Sequence, residues 1–504
     1  MKQNCKKQVL VVTGIPPVHL KELETLGVLL TPALYKLDED ARASLHITMP
    51  SLGAALIATV IANLGYPVSV GDWYLDKINF STADVVGISG ANFGMDDVAG
   101  IAQAAKQGNP HCIVVLGGPL SWSYSPDYIL SQVPDLDFTV FGEGEETVAE
   151  FLECVNNGCG DRLYHIPGVL YRNDKRSEAE KIRGKIPAAA IPTPDWSLVD
   201  RSKRIRVLPV ETARGCSYLC AFCSETSYWG KPVRFKTIPQ ILAEIETNID
   251  VHGVNSFRIA DSCFSAPEAR CEQVCRALIA KFGDQGTIRW SSFARVNNLQ
   301  KKELLTLMNE SGCVALDIGM ESGDQQVLNN MRKDYSPEMI RQAVANATSA
   351  GIFTHCNVVV GFPGETRESV TNTINVLNAA RPDTYHCMLF DYAPNTLISQ
   401  IASQFGLKGS RLAWEHSTMN SSQALGCINE ILQKVEFSCL IPMGELVALF
   451  LTARGHSRND VALFFQNIRD NKIGHREISM LDDIFRKNTL VQQDCPQASS
   501  RQAG

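Results

Sequence analysis

Short apolar runs alternate with helical patterns over residues 9–155. The runs "VLVV" (9–12), "PVSV" (67–70), "VVGIS" (85–89), "IVVLGG" (113–118) and "FTVFG" (138–142) read as strands. Between them, "LGAALIATVIANLG" (52–65), "MDDVAGIAQAAKQG" (95–108) and "EETVAEFLECV" (145–155) read as helices. The first of these is apolar on several faces, so it packs against a sheet rather than standing in solvent. Strand–helix alternation with near-continuous apolar strands predicts a parallel sheet covered on both faces. We expect a doubly wound α/β domain of about five strands over residues 1–158.

Residues 159–205 break the pattern. "HIPGVLYRNDKRSEAEK" reads as a small hairpin and a charged loop, and "KIPAAAIPTPDWSLVD" as a proline-rich linker. Alternation restarts with "IRVLPVET" (205–212), "SFRIAD" (256–261), "IRWSSF" (288–293), "VALDIGM" (314–320), "FTHCNVVVG" (353–361) and "DTYHCMLF" (383–390), with amphipathic helices in the gaps. Six βα units are too few to close an eight-stranded barrel, so residues 206–400 predict a partial, open barrel of TIM type with its chemistry at the carboxyl ends of the strands. Residues 401–488 read as helical, and the polar tail 489–504 as disordered.

Composition changes this picture in three places. A net charge of −7 gives no electrostatic footprint for nucleic acid. No apolar run approaches the ~20 residues of a membrane span, and "MKQNCKKQVLVVTG" reads as a first strand, not a signal peptide. Sixteen cysteines in a chain of 504 residues point to a reducing, cytoplasmic setting rather than a disulfide framework. Most are expected to act as small buried hydrophobes. The pairs Cys271/Cys275 and Cys154/Cys159 could hold a second metal, but neither has a supporting spacing motif.

The exception is "ARGCSYLCAFCSE" (213–225), with Cys216, Cys220 and Cys223 just after the first strand of the second domain. A structural zinc site closes with four ligands. Three thiolates on one loop suit a metal centre with an open corner, such as a [4Fe–4S] cube with one free iron. A zinc site completed by a distant histidine is the other reading. The C-x3-C-x2-C spacing, with Phe222 before the last cysteine, resembles the signature of the radical S-adenosylmethionine (SAM) enzymes.

The resemblance implies that the open iron binds SAM and that reduction cleaves it to a 5′-deoxyadenosyl radical. It extends to "GMESGDQQVLNNMRK" (319–333), where Glu321 matches the glutamate that meets the SAM ribose. Glu321 could equally serve the N-terminus of the following helix, and the two roles are compatible. "NVVVGFPGET" (357–366) resembles the segment lining the adenine, with Val359 and Gly361 nearest. In "ADSCFS" (260–265), Asp261 and Ser262 stand where the family has Gly-Gly-Glu for the methionine amine. Ser291 and Ser292 have no assigned partner. His416, in "LAWEHSTMNSSQAL", is a candidate lid contact.

In the first domain, the first strand ends "TGIPPVH" and lacks G-x-G-x-x-G, which argues against nicotinamide binding. "PSLGAALIATVIANLGY" (50–66), "GISGAN" (87–92), "LGGP" (116–119) and "GEGEET" (142–147) instead resemble, in order, the Rossmann-like cobalamin-binding domain fused before many radical SAM modules. Ser89, Gly117, Gly118, Glu143 and Gly144 match its loop positions. D-x-H-x-x-G, which supplies the lower cobalt ligand in cobalamin domains, is absent, so base-off binding without a histidine is expected. His19 or His46 reaching the cobalt is the alternative.

The resemblance implies three cofactors: a [4Fe–4S] cluster, SAM and cobalamin. It implies a methyltransferase acting on unactivated carbon or phosphorus of a small molecule, with a flavodoxin- or ferredoxin-type electron donor. An oxidative ring cyclase or ring-contracting enzyme would use the same cofactors. A non-enzymatic iron–sulfur or zinc sensor is the reading from a different class.

Overall fold

The computed structural model describes residues 6–14, 49–90, 94–199, 207–283, 288–441, 443–470 and 472–485. His19, His46, the end of "GISGAN", residues 200–205 of the linker, Arg206 and the tail lie outside the described residues.

The first sheet has six strands: β1 (Val9–Thr13), β2 (Val68–Asp72), β3 (Val85–Ser89), β4 (Ile113–Gly117), β5 (Phe138–Val140) and β6 (Val169–Leu170), in the order β2-β1-β3-β4-β5-β6. The first five are parallel. β6 corrects the expected local hairpin: Val169 and Leu170 pair antiparallel with Val140 and Thr139. That pairing covers a sheet edge that would otherwise stay open.

Alternation along the strands builds two cores. Val9, Val11, Val85 and Val115 pack with α1 (Leu52–Asn63) and α4 (Gly144–Asn157). Leu10, Val12, Val86 and Val114 pack with α2 (Met95–Gly108) and α3 (Pro126–Gln132) on the other face. Ser51 caps α1, its Oγ accepting from Ala54 N at 3.3 Å. The chain crosses from one side of β1 to the other between β2 and β3, which makes the carboxyl ends of β1 and β3 a topological switch point.

The second sheet has seven parallel strands in chain order: β7 (Leu208–Val210), β8 (Ser256–Ile259), β9 (Arg289–Arg295), β10 (Cys313–Glu321), β11 (Phe353–Val360), β12 (Thr384–Leu389) and β13 (Cys439–Leu440). The barrel is open, with β7 and β13 at its edges. β13 adds to the six strands expected from the sequence, and it lies in the stretch read as helical. That stretch also holds an antiparallel pair, Lys408–Ser410 with Ala413–Glu415.

Helix α5 (Gly444–Ala453) is buried from Gly444 to Thr452 and packs on the barrel strands. Its Glu445 reaches Arg258 of β8, and a Cβ on Gly444 would strike the Thr384 Oγ1 at 2.3 Å. The helix therefore packs near the amino-terminal ends of the barrel strands, beside Val207, His355 and Thr384, and only glycine allows it that close. Among the described residues no helix is long and apolar enough to cross a membrane. Cys271 and Cys275 are fully buried in the barrel core, and Cys154 is buried in the first domain.

Candidate functional site

The cysteine loop leaves the carboxyl end of β7 and is framed at both ends. Ala213–Arg214 pairs antiparallel with Arg234–Phe235, and Gly215 turns the chain at φ +100°. Its middle is fixed from two sides, since Ala221 N donates to Met331 O and Ile398 N donates to Ala221 O, both at 2.9 Å. Tyr218 Oη donates to Asn298 Oδ1 at 2.8 Å. Cys216, Cys220 and Cys223 are half-buried and free of disulfides. Burial pushes the Cys223 thiol up to about 12 and raises that of Cys216. A metal that replaces the proton removes that penalty.

Among the described residues no three His, Cys, Asp or Glu side chains converge on a single-ion site. A tetrahedral zinc needs its sulfurs about 3.8 Å apart, from Zn–S bonds of about 2.3 Å. A cube relaxes that demand, because each thiolate takes its own iron.

Arg295, at the end of β9, supplies the positive charge. Its Nη1 lies 3.1 Å from Cys220 Sγ, and its guanidinium stacks 3.9 Å over the Tyr218 ring. Nε donates to Asn297 Oδ1 at 2.9 Å, and Nη2 binds Asp334. A cation held against the thiolates favours their ionised form and offsets the cluster's charge.

Glu321 ends β10 in the left-handed region, at φ +62°, beside a register shift against β11. A non-glycine residue there stores strain of roughly 1–2 kcal/mol. Its buried carboxylate receives Lys333 Nζ at 2.8 Å, and Lys333 also lies 5.2 Å from the Phe222 ring. Phe222 meets Phe362 edge to face, with ring centroids 6.3 Å apart. Lys333 stays charged: burial opposes it, but the Glu321 carboxylate together with Tyr335 and Cys220 raises its pKa.

Val359 is buried on β11. Gly361 has φ +90°, and a Cβ there would lie 2.3 Å from Trp414 Cη2. Its carbonyl oxygen faces His416 Nε2 at 3.1 Å, and the imidazole stacks on Trp414. His416 therefore braces this turn. Glu365 accepts from Gly361 N, and burial pushes its carboxyl up to about 8.

Asp261 is committed to the cysteine loop. Its Oδ1 accepts from Thr212 N at 2.6 Å and Ala213 N at 3.0 Å, and Oδ2 from Thr212 Oγ1. It therefore sets the path of the chain into the loop. Ser262 Oγ donates to Glu225, just beyond Cys223.

Ser291 accepts from Arg258 Nη1 at 3.3 Å on the inner face of the barrel. Asp317, Asn357, His355 and Thr384 continue that polar wall across β10, β11 and β12. Ser292 alternates to the other face, where its Oγ has no hydrogen-bond partner among the described residues.

At the switch point of the first sheet lies a cavity of about 320 Å³. Ser89, Gly117, Gly118, Glu143 and Gly144 all line it. Its depth is apolar, walled by Val11, Ile57, Val85, Val115 and Phe151 between the sheet and helices α1 and α4. Its far wall belongs to the barrel: Glu211, Arg214, Tyr228, Trp229 and Ala260. Gly118 has φ +86°, and a Cβ on Gly144 would lie 2.9 Å from Ile57 Cδ1. A deep apolar slot with a glycine rim fits a flat macrocycle that sends an apolar appendage inward. No histidine lines the cavity among the described residues. Glu143 differs from expectation: its carboxylate is taken by Arg234 Nη1 at 3.0 Å and by Ile186 N at 3.0 Å.

Comparison with known proteins agrees with this layout. The B12 binding domain matches residues 40–152, and the radical SAM superfamily matches residues 210–377. An uncharacterized methyltransferase of Pyrococcus horikoshii is 28 % identical over 388 residues, covering 74 % of this chain and 80 % of that protein. The anaerobic magnesium-protoporphyrin IX monomethyl ester cyclase of Rubrivivax gelatinosus is 28 % identical over 322 residues, covering 62 % of this chain and 57 % of that protein. In fold, the chain resembles the radical SAM methyltransferase TsrM from Kitasatospora setae, solved with cobalamin and a [4Fe–4S] cluster. The TM-score is 0.66 and the identity 15 %, over 92 % of this chain and 99 % of that one.

The chain is a radical SAM enzyme. More narrowly, it belongs to the radical SAM enzymes that carry a B12 binding domain in front, and its cofactors are a [4Fe–4S] cluster, SAM and cobalamin.

Arg214, Arg295 and Lys333 escaped the sequence reading. Lys333 closes the quoted "GMESGDQQVLNNMRK" segment, so a buried partner for Glu321 could have been sought there. Arg295 lies 75 positions from Cys220, and nothing local marks it.

Proposed function

We propose that this enzyme transfers a SAM-derived methyl group, by way of cobalamin, to an unactivated carbon or phosphorus of a small molecule. The observation that carries this reading is a shared wall. The cavity that fits cobalamin is closed by Arg214, two residues before Cys216, and by Ala260, beside Asp261 at the end of β8. The cobalamin cavity and the cysteine loop thus share a wall at the barrel mouth. When bound, the cofactors supply the methyl carrier and the radical chemistry.

In this reading Cys216, Cys220 and Cys223 hold the cluster, and Arg295 balances its charge. Phe222, Glu321, Val359 and Gly361 position SAM, while Asp261 and Ser262 act by shaping the loop. Ser89, Gly117, Gly118 and Gly144 admit the corrin, and Glu143 fixes the rim. Residues 1–158 form the cobalamin unit, 206–400 the radical SAM unit and 401–488 the closing segment, with 159–205 as linker and 489–504 as tail. The apolar slot and the missing D-x-H-x-x-G motif support base-off binding with no histidine under the cobalt. The reducing electron comes from a flavodoxin- or ferredoxin-type protein in the cytoplasm, and nucleic acid is not a partner.

Incubation of the reduced, reconstituted enzyme with methyl-labelled SAM and candidate substrates tests this. Label in the product supports methyl transfer. A product altered without label supports cyclisation or rearrangement, the reading favoured by similarity to the R. gelatinosus cyclase.

A further inference from the structure

We propose that Arg214 is a positioning residue for both cofactors, clamping the cluster loop to the rim of the cobalamin cavity. This rests on the functional reading above but goes beyond it, because Arg214 belongs to neither set of expected contacts. Its guanidinium meets three carboxylates from two parts of the chain. Nη2 lies 2.6 Å from Glu145 and Nη1 3.6 Å from Glu143, both at the rim after β5. Nε lies 2.9 Å from Glu211, in the strand-to-loop turn after β7. Trp229, beyond the cysteines, covers the guanidinium at 5.1 Å. Arg234, on the far side of the cysteine loop, grips Glu143 through both terminal nitrogens. The network therefore ties both ends of the loop that carries Cys216, Cys220 and Cys223 to the segment Glu143–Glu145.

A guanidinium is a rigid planar fork, so three carboxylates around it leave it one orientation. Arg214, Glu143, Glu145 and Glu211 are all more than nine-tenths buried, so water does not loosen the set. All four also line the cavity. A shift of the rim that accompanies cobalamin binding must move Arg214, and with it the chain that turns through Gly215 into Cys216. Buried ion pairs can also serve only to specify a fold, so the test must separate the two roles.

The test uses the full chain reconstituted with iron and sulfide, with and without cobalamin. Thermal stability, cobalamin affinity by visible absorption, and the electron paramagnetic resonance (EPR) spectrum of the reduced, SAM-bound cluster are measured. In wild type, adding cobalamin should change the cluster spectrum. Arg214→Met should weaken cobalamin binding at least tenfold and abolish that response, while Arg214→Lys, which keeps the charge but loses the fork, should restore part of both. Should Arg214→Met fail to fold, Glu145→Gln provides the same readouts, with an expected three- to tenfold weakening. Folded variants with wild-type affinity and a wild-type spectral response overturn the clamp, even if they are less thermostable. Wild-type protein that takes up the cluster but no cobalamin overturns the functional reading and the clamp together.

Discussion

The two cofactor regions are built on opposite principles. The cavity of the first domain is made by withholding side-chain atoms: Gly117, Gly118 and Gly144 at the rim, with Val11, Val85 and Val115 below. The barrel mouth is made by charged groups, each held by a partner: Arg295 with Cys220 and Asp334, Lys333 with Glu321, Asp261 with Thr212. A large, flat macrocycle needs room and dispersion contacts, whereas a charged cluster and a charged sulfonium substrate need compensated electrostatics. Damage to the apolar part of the first region should therefore be steric and fall on cobalamin binding. Damage to the second should be electrostatic and graded.

The largest effect is expected at the thiolates. Cys216→Ala, Cys220→Ala and Cys223→Ala should each lose the iron–sulfur absorption, most bound iron and all SAM cleavage, while still binding cobalamin. One variant with full SAM cleavage would remove its cysteine from the cluster.

Gly117→Leu probes the other region. A Cβ there meets only Val140 Cβ, at 3.9 Å, so the fold tolerates it while the longer side chain fills the cavity. Cobalamin binding should fall more than a hundredfold, with cluster content and SAM cleavage unchanged. A parallel loss of the cluster would mean that the two regions are not separable.

Next comes the ion pair at the strained end of β10. Glu321→Ala should weaken SAM binding ten- to a hundredfold, as expected for loss of a hydrogen bond to a charged acceptor worth roughly 1.5–3 kcal/mol. Lys333→Met should weaken it similarly and leave Glu321 buried without its cation. Equal SAM affinity in Glu321→Ala and wild type, by calorimetry, would take Glu321 out of the site.

The smallest effect concerns Glu365, whose carboxyl burial holds at about 8. Between an ordinary carboxylate pKa of 4.5 and that value, the folded chain keeps a proton that the unfolded chain has released. This group therefore makes stability fall as pH rises through that window. Glu365→Gln should flatten the decline, gaining about 1 kcal/mol or more at pH 8 relative to wild type and little at pH 5. Parallel denaturation profiles at the two pH values would contradict the assignment.

The same contrast decides what could be read before the structure. A region made of omissions leaves a local trace: "LGGP" and "GEGEET" put small residues at strand ends, and their neighbours in sequence are their neighbours in space. The cysteine triplet is local too, as are the five parallel strands of the first sheet. Pairing across distance is not. Val169–Leu170 joins β5 as a sixth strand and Cys439–Leu440 joins β12 as a seventh, and two residues are too few to show a period. Arg214 and Arg295 look like any surface arginine until the fold brings their partners to them. Glu143 was legible as a cavity residue but not as a carboxylate already spoken for.

The central claim, that one protein brings a SAM-derived methyl group and cobalamin together beside a radical-forming cluster, can be tested without knowing the substrate. Anaerobic protein holding both metal cofactors is reduced, given methyl-labelled SAM, and separated into cobalamin and nucleoside fractions. The account expects label with the protein's cobalamin, S-adenosylhomocysteine as co-product, and neither in Gly117→Leu. Steady formation of 5′-deoxyadenosine with bound cobalamin that never acquires label would contradict it.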